Sequence, residues 1–200
     1  YKSNKNKNLN LNLIKDSKII LYVGRLIEFK GFHKILYSIH SLLIPENLII
    51  IFLGDRDPVT KYHKEDQTDR IISAMKEFIN KKKLNDRVLF LGFKNNVKEY
   101  IKNADLLIHP TIKESFGLVL VESMALGTPI AASNYEAIPE ILKKTNSILF
   151  NPNSEIEIKE SVVKFLNLSD LEKKIMIKKG KERSKDFSQE NRTNKMISLY

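Results

Sequence analysis

The chain has 200 residues, of which 42% are hydrophobic, and it carries a net charge of +10 and no cysteine. This length and composition suit one folded core, while disulfides, cysteine-ligated metals and a thiol nucleophile are excluded. The four histidines show no metal-ligand spacing, no apolar run reaches the ~18 residues of a membrane span, and the polar N-terminus does not resemble a signal peptide. We therefore expect a cytoplasmic protein with no bound metal and no cofactor.

The positive charge lies at the two ends of the chain. Residues 1–18 carry a net charge of +4 and residues 171–200 a net charge of +5, so that residues 19–170 contribute only +1. This nearly neutral body lacks the basic face with interleaved aromatic residues that nucleic-acid-binding modules present, and we predict no nucleic-acid partner. The basic ends are typical of solvated termini, but they could also support peripheral contact with an anionic membrane.

From residue 18 onward, short apolar runs alternate with helical patterns. We predict strands at 18–24, 48–54, 88–92, 106–108, 129–133 and 147–150, and helices at 31–43, 65–83, 97–102, 117–126 and 139–142. Because this alternation is typical of βαβ units, the predicted fold class is α/β, with a Rossmann-like parallel sheet and helices on both faces. Ligands of such sheets bind at the carboxyl ends of the strands, where the strand order reverses.

The two ends of the chain differ from this body. We interpret residues 1–17, which are rich in Lys and Asn, as a linker or trimmed boundary, residues 18–170 as the Rossmann-like domain, and residues 171–200 as a basic helical segment. Because the first residue is Tyr rather than Met, we expect the chain to be a piece of a longer protein.

The segment from Asp105 to Ala132 predicts a strand, a loop and a helix that begins beside the strand end. Gly117 lies in the predicted first turn of this helix, where backbone N–H groups and the helix dipole favour an anion such as phosphate. Glu114 precedes the helix, and Glu122 lies within about 8 Å of the helix start at roughly 1.5 Å per residue. Since carboxylates only accept hydrogen bonds, sugar hydroxyls are natural partners. The segment therefore indicates a nucleotide-sugar site.

Each glutamate, taken singly, also has an ordinary interpretation. A glutamate near a helix start complements the helix dipole, and Glu122 could be a solvated surface residue. However, the helix is apolar around most of its circumference, which predicts a largely buried Glu122, and a buried carboxylate without a partner is costly. A ligand-facing role for Glu122 is therefore favoured.

A second loop of interest follows the first predicted strand. Arg25 leaves the strand end, and Lys30 closes the loop immediately before Gly31 and the next helix. Guanidinium can grip a phosphate with two parallel hydrogen bonds, while ammonium acts as a point charge. At the ligand-binding edge of a parallel sheet, the pair suits a diphosphate.

Three motifs together carry a resemblance to a known family. They are GR(x)4KG after an apolar strand, LGF after VLF, and KESFGLVLVESMALGTPI with Glu114 and Glu122 nine positions apart counted inclusively. The chain resembles, over roughly residues 18–165, the C-terminal, donor-binding half of a group 1 (family 4-like) retaining glycosyltransferase of GT-B architecture. The resemblance implies an enzyme that moves a sugar from a nucleotide-diphosphate sugar to an acceptor without a metal.

The resemblance also implies roles for individual residues, with Arg25, Lys30 and Glu114 as the catalytic set. Arg25 and Lys30 would contact the donor diphosphate, Glu114 the transferred sugar and Glu122 the ribose hydroxyls. The implied donor-binding residues also include Gly24 at the end of the first strand, the backbone of Gly92 and Phe93 for the base, and the amides of Phe116, Gly117 and Leu118 for sugar or phosphate oxygens.

The sequence departs from the family pattern in two places. A long polar loop at residues 54–69 replaces a glycine-rich turn, and the family's Gly-Gly pair before Pro139-Glu140 is absent. We therefore assign no functional role to Glu136 or Glu140. The resemblance further implies that the acceptor, whether a glycan, a lipid or a small molecule, is bound by an N-terminal domain that this sequence does not include.

Two other functions stay open at this stage. A non-catalytic nucleotide-binding or interaction module could keep the same fold without turnover, since a fold alone does not determine function. A nucleic-acid-binding protein would need salt-dependent binding by the folded body, which its small net charge disfavours.

Overall fold

The computed structural model describes residues 13–55 and 67–188. Six parallel strands form one sheet in the order β3-β2-β1-β4-β5-β6. The strands are β1 (Lys18–Val23), β2 (Leu48–Leu53), β3 (Val88–Phe90), β4 (Leu106–His109), β5 (Ile130–Ser133) and β6 (Ile148–Phe150). The predicted α/β class and Rossmann-like parallel sheet are confirmed, and all six strands lie where apolar runs predicted them.

Helices connect the strands and complete the fold. They are α1 (Phe32–Ile39), α2 (Thr68–Lys81), α3 (Val97–Asn103), α4 (Leu118–Leu126), α5 (Ile138–Ile141), α6 (Glu155–Asn167) and α7 (Asp170–Ser184), with short 3₁₀ turns at Glu28–Lys30, His40–Leu42 and Lys185–Phe187. The first predicted helix is shorter than expected because the chain tightens into a 3₁₀ turn after Ile39. The predicted start of the second helix at residue 65 lies outside the described residues.

Helix α6 was not predicted from the sequence. Its N-cap is Ser154, whose hydroxyl accepts a hydrogen bond from the backbone N–H of Glu157. Its buried side chains include Ile158, Val162 and Phe165, and this spacing places them on one face. A capping serine followed by glutamates and a helical apolar pattern was therefore present in the sequence.

The sheet is covered on both faces. Alternate strand residues point to opposite sides, so that Ile20 and Tyr22 belong to one core cluster and Ile19 and Leu21 to the other. The first cluster contains buried side chains of α1, α2 and α6, and the second contains those of α3, α4 and α5. Because both faces are buried, β2 is buried over its whole length, which explains its continuous apolar sequence.

The strand order reverses between β1 and β4, which are neighbours in the sheet. The loops that follow these two strands leave the same edge in opposite directions, and the crevice between them is the expected ligand position in this fold. None of the helices within residues 13–55 and 67–188 is long and apolar enough to cross a bilayer.

Candidate functional site

The strand order reverses between β1 and β4, and we call this position the switch point. The loops that follow the two strands are hydrogen-bonded to each other there. The backbone N–H of Ile112 donates to Phe29 O at 3.0 Å, and Thr111 Oγ1 donates to the same oxygen at 3.3 Å. Gly31 has a φ of 69°, and a Cβ placed on it would lie 2.4 Å from Pro110 O. Only glycine allows this approach without displacing the backbone, so Gly31 sets the distance between the two loops.

Glu114 is the centre of the site. Its Oε2 accepts a hydrogen bond from Lys30 Nζ at 2.8 Å and lies 3.0 Å from His109 Nε2. Its Oε1 accepts from the backbone N–H of Gly117 at 2.9 Å and, more weakly, from that of Phe116 at 3.5 Å. The structure therefore brings together Lys30 and Glu114, and it adds His109, for which no role was predicted.

These contacts favour the ionised form of the Glu114 carboxylate. The hydrogen bond from His109, helped by Lys30 and the Gly117 amide, holds the pKa of Glu114 well below its usual range, although burial acts in the other direction. Burial lowers the pKa of His109, against the raising effect of Glu114. At neutral pH the site thus contains an ionised Glu114 carboxylate and a neutral His109 imidazole.

The start of α4 differs from the predicted anion seat. Gly117 is the N-cap residue rather than part of the first turn, and the helix begins at Leu118. The amides of Phe116 and Gly117, expected to be open to a ligand, are contacted by the Glu114 carboxylate instead. An anion does lie at the helix N-terminus, where the helix dipole favours it, but it is the Glu114 carboxylate of the chain itself.

Glu136 contacts the same loop although it was assigned no role. Its Oε2 accepts a short hydrogen bond from the backbone N–H of Glu114. Glu136 follows β5, the strand next to β4, and this neighbour relation cannot be derived from the sequence spacing alone. Glu140, by contrast, is exposed and pairs with Lys143 and Arg183.

A cavity of about 230 Å³ lies at the carboxyl ends of β1 and β2, and Phe93, one of the two residues predicted to hold the base, lines it. Its lining includes Gly24, Arg25 and Phe93, and the Phe93 side chain is 72% exposed. Gly92 does not line this cavity, and its carbonyl accepts a hydrogen bond from the N–H of Gly54 at 2.9 Å. Three of the predicted donor-binding residues thus lie around one opening.

Glu122 is exposed, so the prediction that it lies in a buried environment is wrong. The buried residues of α4 are Leu120, Ser123 and Met124, whereas the Leu118 side chain, one turn before Glu122, is 63% exposed. The helix is apolar on its outer side as well, and the sequence pattern did not separate the two sides. The contact of Glu122 with ribose stays a prediction.

A further cavity, of about 580 Å³, lies elsewhere in the domain. It is lined by Asp105 and Pro129, which precede β4 and β5, and by side chains of α7. It therefore opens at the amino ends of the strands, opposite the switch point, and contains none of the predicted site residues.

Within the described residues, no cluster of three or more His, Asp or Glu side chains is arranged to hold a metal.

The fold and this site together define a Rossmann-like α/β domain, with cationic and carboxylate side chains on the loops at the switch point, where such sheets bind their ligands. The chain belongs to the family of glycosyl transferases group 1, whose family model matches residues 4–183.

Individual relatives agree with this assignment. An uncharacterized glycosyltransferase of Methanocaldococcus jannaschii is 27% identical over 188 residues, which cover 92% of this chain and 45% of the relative. Sucrose-phosphate synthase of Thermosynechococcus elongatus is similar in structure, with a TM-score of 0.77, 27% identity, and coverage of 94% of this chain and 46% of that one.

A third similar protein was solved with ligands. The structure of Anabaena HepE in complex with UDP and glucose has a TM-score of 0.76 and 21% identity, with coverage of 92% of this chain and 47% of that one. The chain thus spans about half the length of each of these three proteins.

Proposed function

We propose that this chain is the donor-binding half of a retaining glycosyltransferase, and that it binds a nucleotide-diphosphate sugar at the switch point between β1 and β4. One observation carries the proposal. The loop after β1 places the Lys30 ammonium 2.8 Å from the Glu114 carboxylate, at the N-terminus of α4. A cation, a hydroxyl-accepting carboxylate and a helix N-terminus are thereby concentrated where this fold binds ligands.

The proposed chemistry depends mainly on charge. As the bond between the sugar and the diphosphate breaks, negative charge grows on the diphosphate, and Arg25, Lys30 and the amides at the start of α4 stabilise it without a metal. Fixed donors that point at developing charge are usually the largest catalytic contribution. In this proposal Glu114 contacts the transferred sugar, Glu122 the ribose hydroxyls, and the cavity beside Phe93 receives the base.

The ligands of a structurally similar protein support the class of donor. The Anabaena protein was solved with UDP and glucose and, in another structure, with UDP-glucose, which is a nucleotide-diphosphate sugar. Since the chain covers about half of its relatives, we further propose that an N-terminal domain binds the acceptor and that transfer takes place between the two halves. Holding both reactants in register can contribute roughly 7–11 kcal/mol to lowering the barrier.

The proposal is tested by calorimetric titration of the 200-residue chain with UDP, GDP and ADP, with their glucose conjugates, and with the nucleosides. We expect at least one nucleoside diphosphate and its sugar conjugate to bind, and the nucleosides to bind much more weakly because they lack the diphosphate. Equal affinity for a nucleoside and its diphosphate would contradict the site.

A second experiment tests whether sugar transfer requires both the donor-binding and the acceptor-binding half. The chain is incubated with labelled nucleotide sugars and candidate acceptors, alone and then joined to the N-terminal half of a relative in a chimaera. We expect transfer only by the joined protein, with at most slow hydrolysis of the donor by the chain alone. Efficient transfer by the chain alone would show that it contains a complete active site.

A further inference from the structure

His109 is the last residue of β4, and its side chain is only 3% exposed. One ring nitrogen, Nε2, lies 3.0 Å from Glu114 Oε2. The other, Nδ1, is buried and has no hydrogen-bond partner among the described residues. The strand end therefore presents a single polar atom of this ring to the site, and that atom contacts the central carboxylate.

The geometry decides which nitrogen carries the proton. A buried N–H without an acceptor is costly, and more costly than a buried ring nitrogen whose lone pair has no donor. An ionised carboxylate, for its part, can only accept hydrogen bonds. The neutral ring with its proton on Nε2 satisfies both conditions, because Nε2–H then donates to Glu114. Burial, which lowers the pKa of His109, agrees with a neutral ring.

The remaining partners of Glu114 are the groups that the proposed function assigns to the donor. Lys30 is assigned to the diphosphate, and the amides of Phe116 and Gly117 to sugar or phosphate oxygens. All three contact Glu114 in the structure, so a bound donor would compete with Glu114 for them. His109 is the exception, because the proposed function assigns it no contact with the donor and only 3% of its side chain is exposed.

We propose that His109 is a positioning residue, which holds Oε2 of Glu114 through a hydrogen bond donated by Nε2–H. The bound nucleotide sugar meanwhile contacts Lys30 and the amides at the start of α4. Glu114 Oε1 is then released towards the sugar without the carboxylate leaving the site. His109 does not touch the substrate and acts through Glu114. This inference rests on the proposed function and adds the residue on which recognition of the sugar depends.

The test compares His109→Gln, which keeps a donor near the position of Nε2, with His109→Leu, which fills similar space without one. The chain and each variant are titrated with a nucleoside diphosphate and with its sugar conjugate, taken from the pair that binds the unmutated chain. We expect His109→Leu to weaken binding of the sugar conjugate by about tenfold and that of the diphosphate by less than twofold. His109→Gln should restore most of the loss.

Three outcomes would overturn the inference while the proposed function stands. They are equal losses for both ligands, full affinity of His109→Leu for the sugar conjugate, and failure of His109→Gln to recover more than His109→Leu. If no nucleotide binds the unmutated chain, the proposed function fails, and with it the role of His109 in sugar recognition.

A ligand-free measurement tests the His109–Glu114 bond independently of any nucleotide. Nitrogen-15 NMR of the imidazole rings at pH 7 should show His109 neutral, with its proton on Nε2. Glu114→Ala should shift the His109 signals and leave those of His33 unchanged. A charged ring, a proton on Nδ1, or no response to Glu114→Ala would overturn the inference. If a leucine variant does not fold, the glutamine variant and this measurement still decide it.

Discussion

Lys30 and Glu114 are 84 positions apart in the chain, yet the Lys30 Nζ lies 2.8 Å from Glu114 Oε2. They come from loops that follow β1 and β4, two strands that are neighbours because the strand order reverses between them. The same ammonium also donates to Lys113 O at 3.0 Å, which fixes its position over the loop. The two opposite charges therefore neutralise each other at the edge of the sheet where strand order reverses.

Arg25→Ala should weaken binding of a nucleoside diphosphate by at least tenfold. A hydrogen bond to a charged group contributes on the order of 1.5–3 kcal/mol, and the loop around Arg25 is held in place by a 2.8 Å bond from Tyr22 Oη to its carbonyl. Calorimetry measures the change, with Arg70→Ala on the exposed face of α2 as the matched control. A loss of similar size in the control would assign the effect to net charge rather than to the site.

Glu122→Gln should weaken binding of ribonucleotides while changing the affinity for 2′-deoxyribonucleotides little. The substitution keeps shape but removes the charge that strengthens hydrogen bonds donated by ribose hydroxyls, and we expect a loss of about fivefold to tenfold. Paired titrations with UDP and 2′-deoxy-UDP measure it, and Glu77→Gln on α2 is the control. If the unmutated chain does not distinguish the two nucleotides, Glu122 has no ribose contact.

Gly31→Ala should lower the free energy of unfolding by at least about 2 kcal/mol, because it adds both backbone strain and a collision with Pro110. Gly92→Ala is a matched comparison, since Gly92 also has a positive φ but a Cβ there meets no atom within 4 Å. We expect a loss of only about 1 kcal/mol for Gly92→Ala, from strain alone. Urea unfolding followed by circular dichroism measures both, and equal losses would contradict the importance of the contact with Pro110.

Glu114→Gln should destabilise the protein at neutral pH but much less in acid. The folded-state pKa of Glu114 is depressed below its ordinary value of 4.5, so the ionised group stabilises the fold above that pH and the contribution declines as the pH falls further. After allowance for solvent screening we expect a difference of about 1–2 kcal/mol at pH 7, shrinking between about pH 5 and pH 3.

Urea unfolding at several pH values measures this difference, with Glu77→Gln as the control. If the difference in unfolding free energy between Glu114→Gln and the unmutated chain stays constant down to pH 3, then loss of packing, rather than loss of charge, causes it.

The sequence allowed the strands and the parallel sheet to be predicted because buried strands of such sheets are short apolar runs separated by helices. It also placed Lys30 and Glu114 at one edge, since both follow strand ends. The contacts of His109 and Glu136 could not be predicted, because they depend on strand neighbours and side-chain directions that no spacing encodes. Glu122 was misjudged because α4 is apolar on both its buried and its exposed side.

The two outermost strands of the sheet, β3 and β6, have only three residues each, whereas β1 and β2 in its interior have six. An outermost strand with open N–H and C=O groups is a template on which another chain can add a strand and begin to aggregate. Three residues offer too few such groups to hold an incoming strand firmly. The short outermost strands therefore protect the domain from aggregation by strand addition at either edge of the sheet.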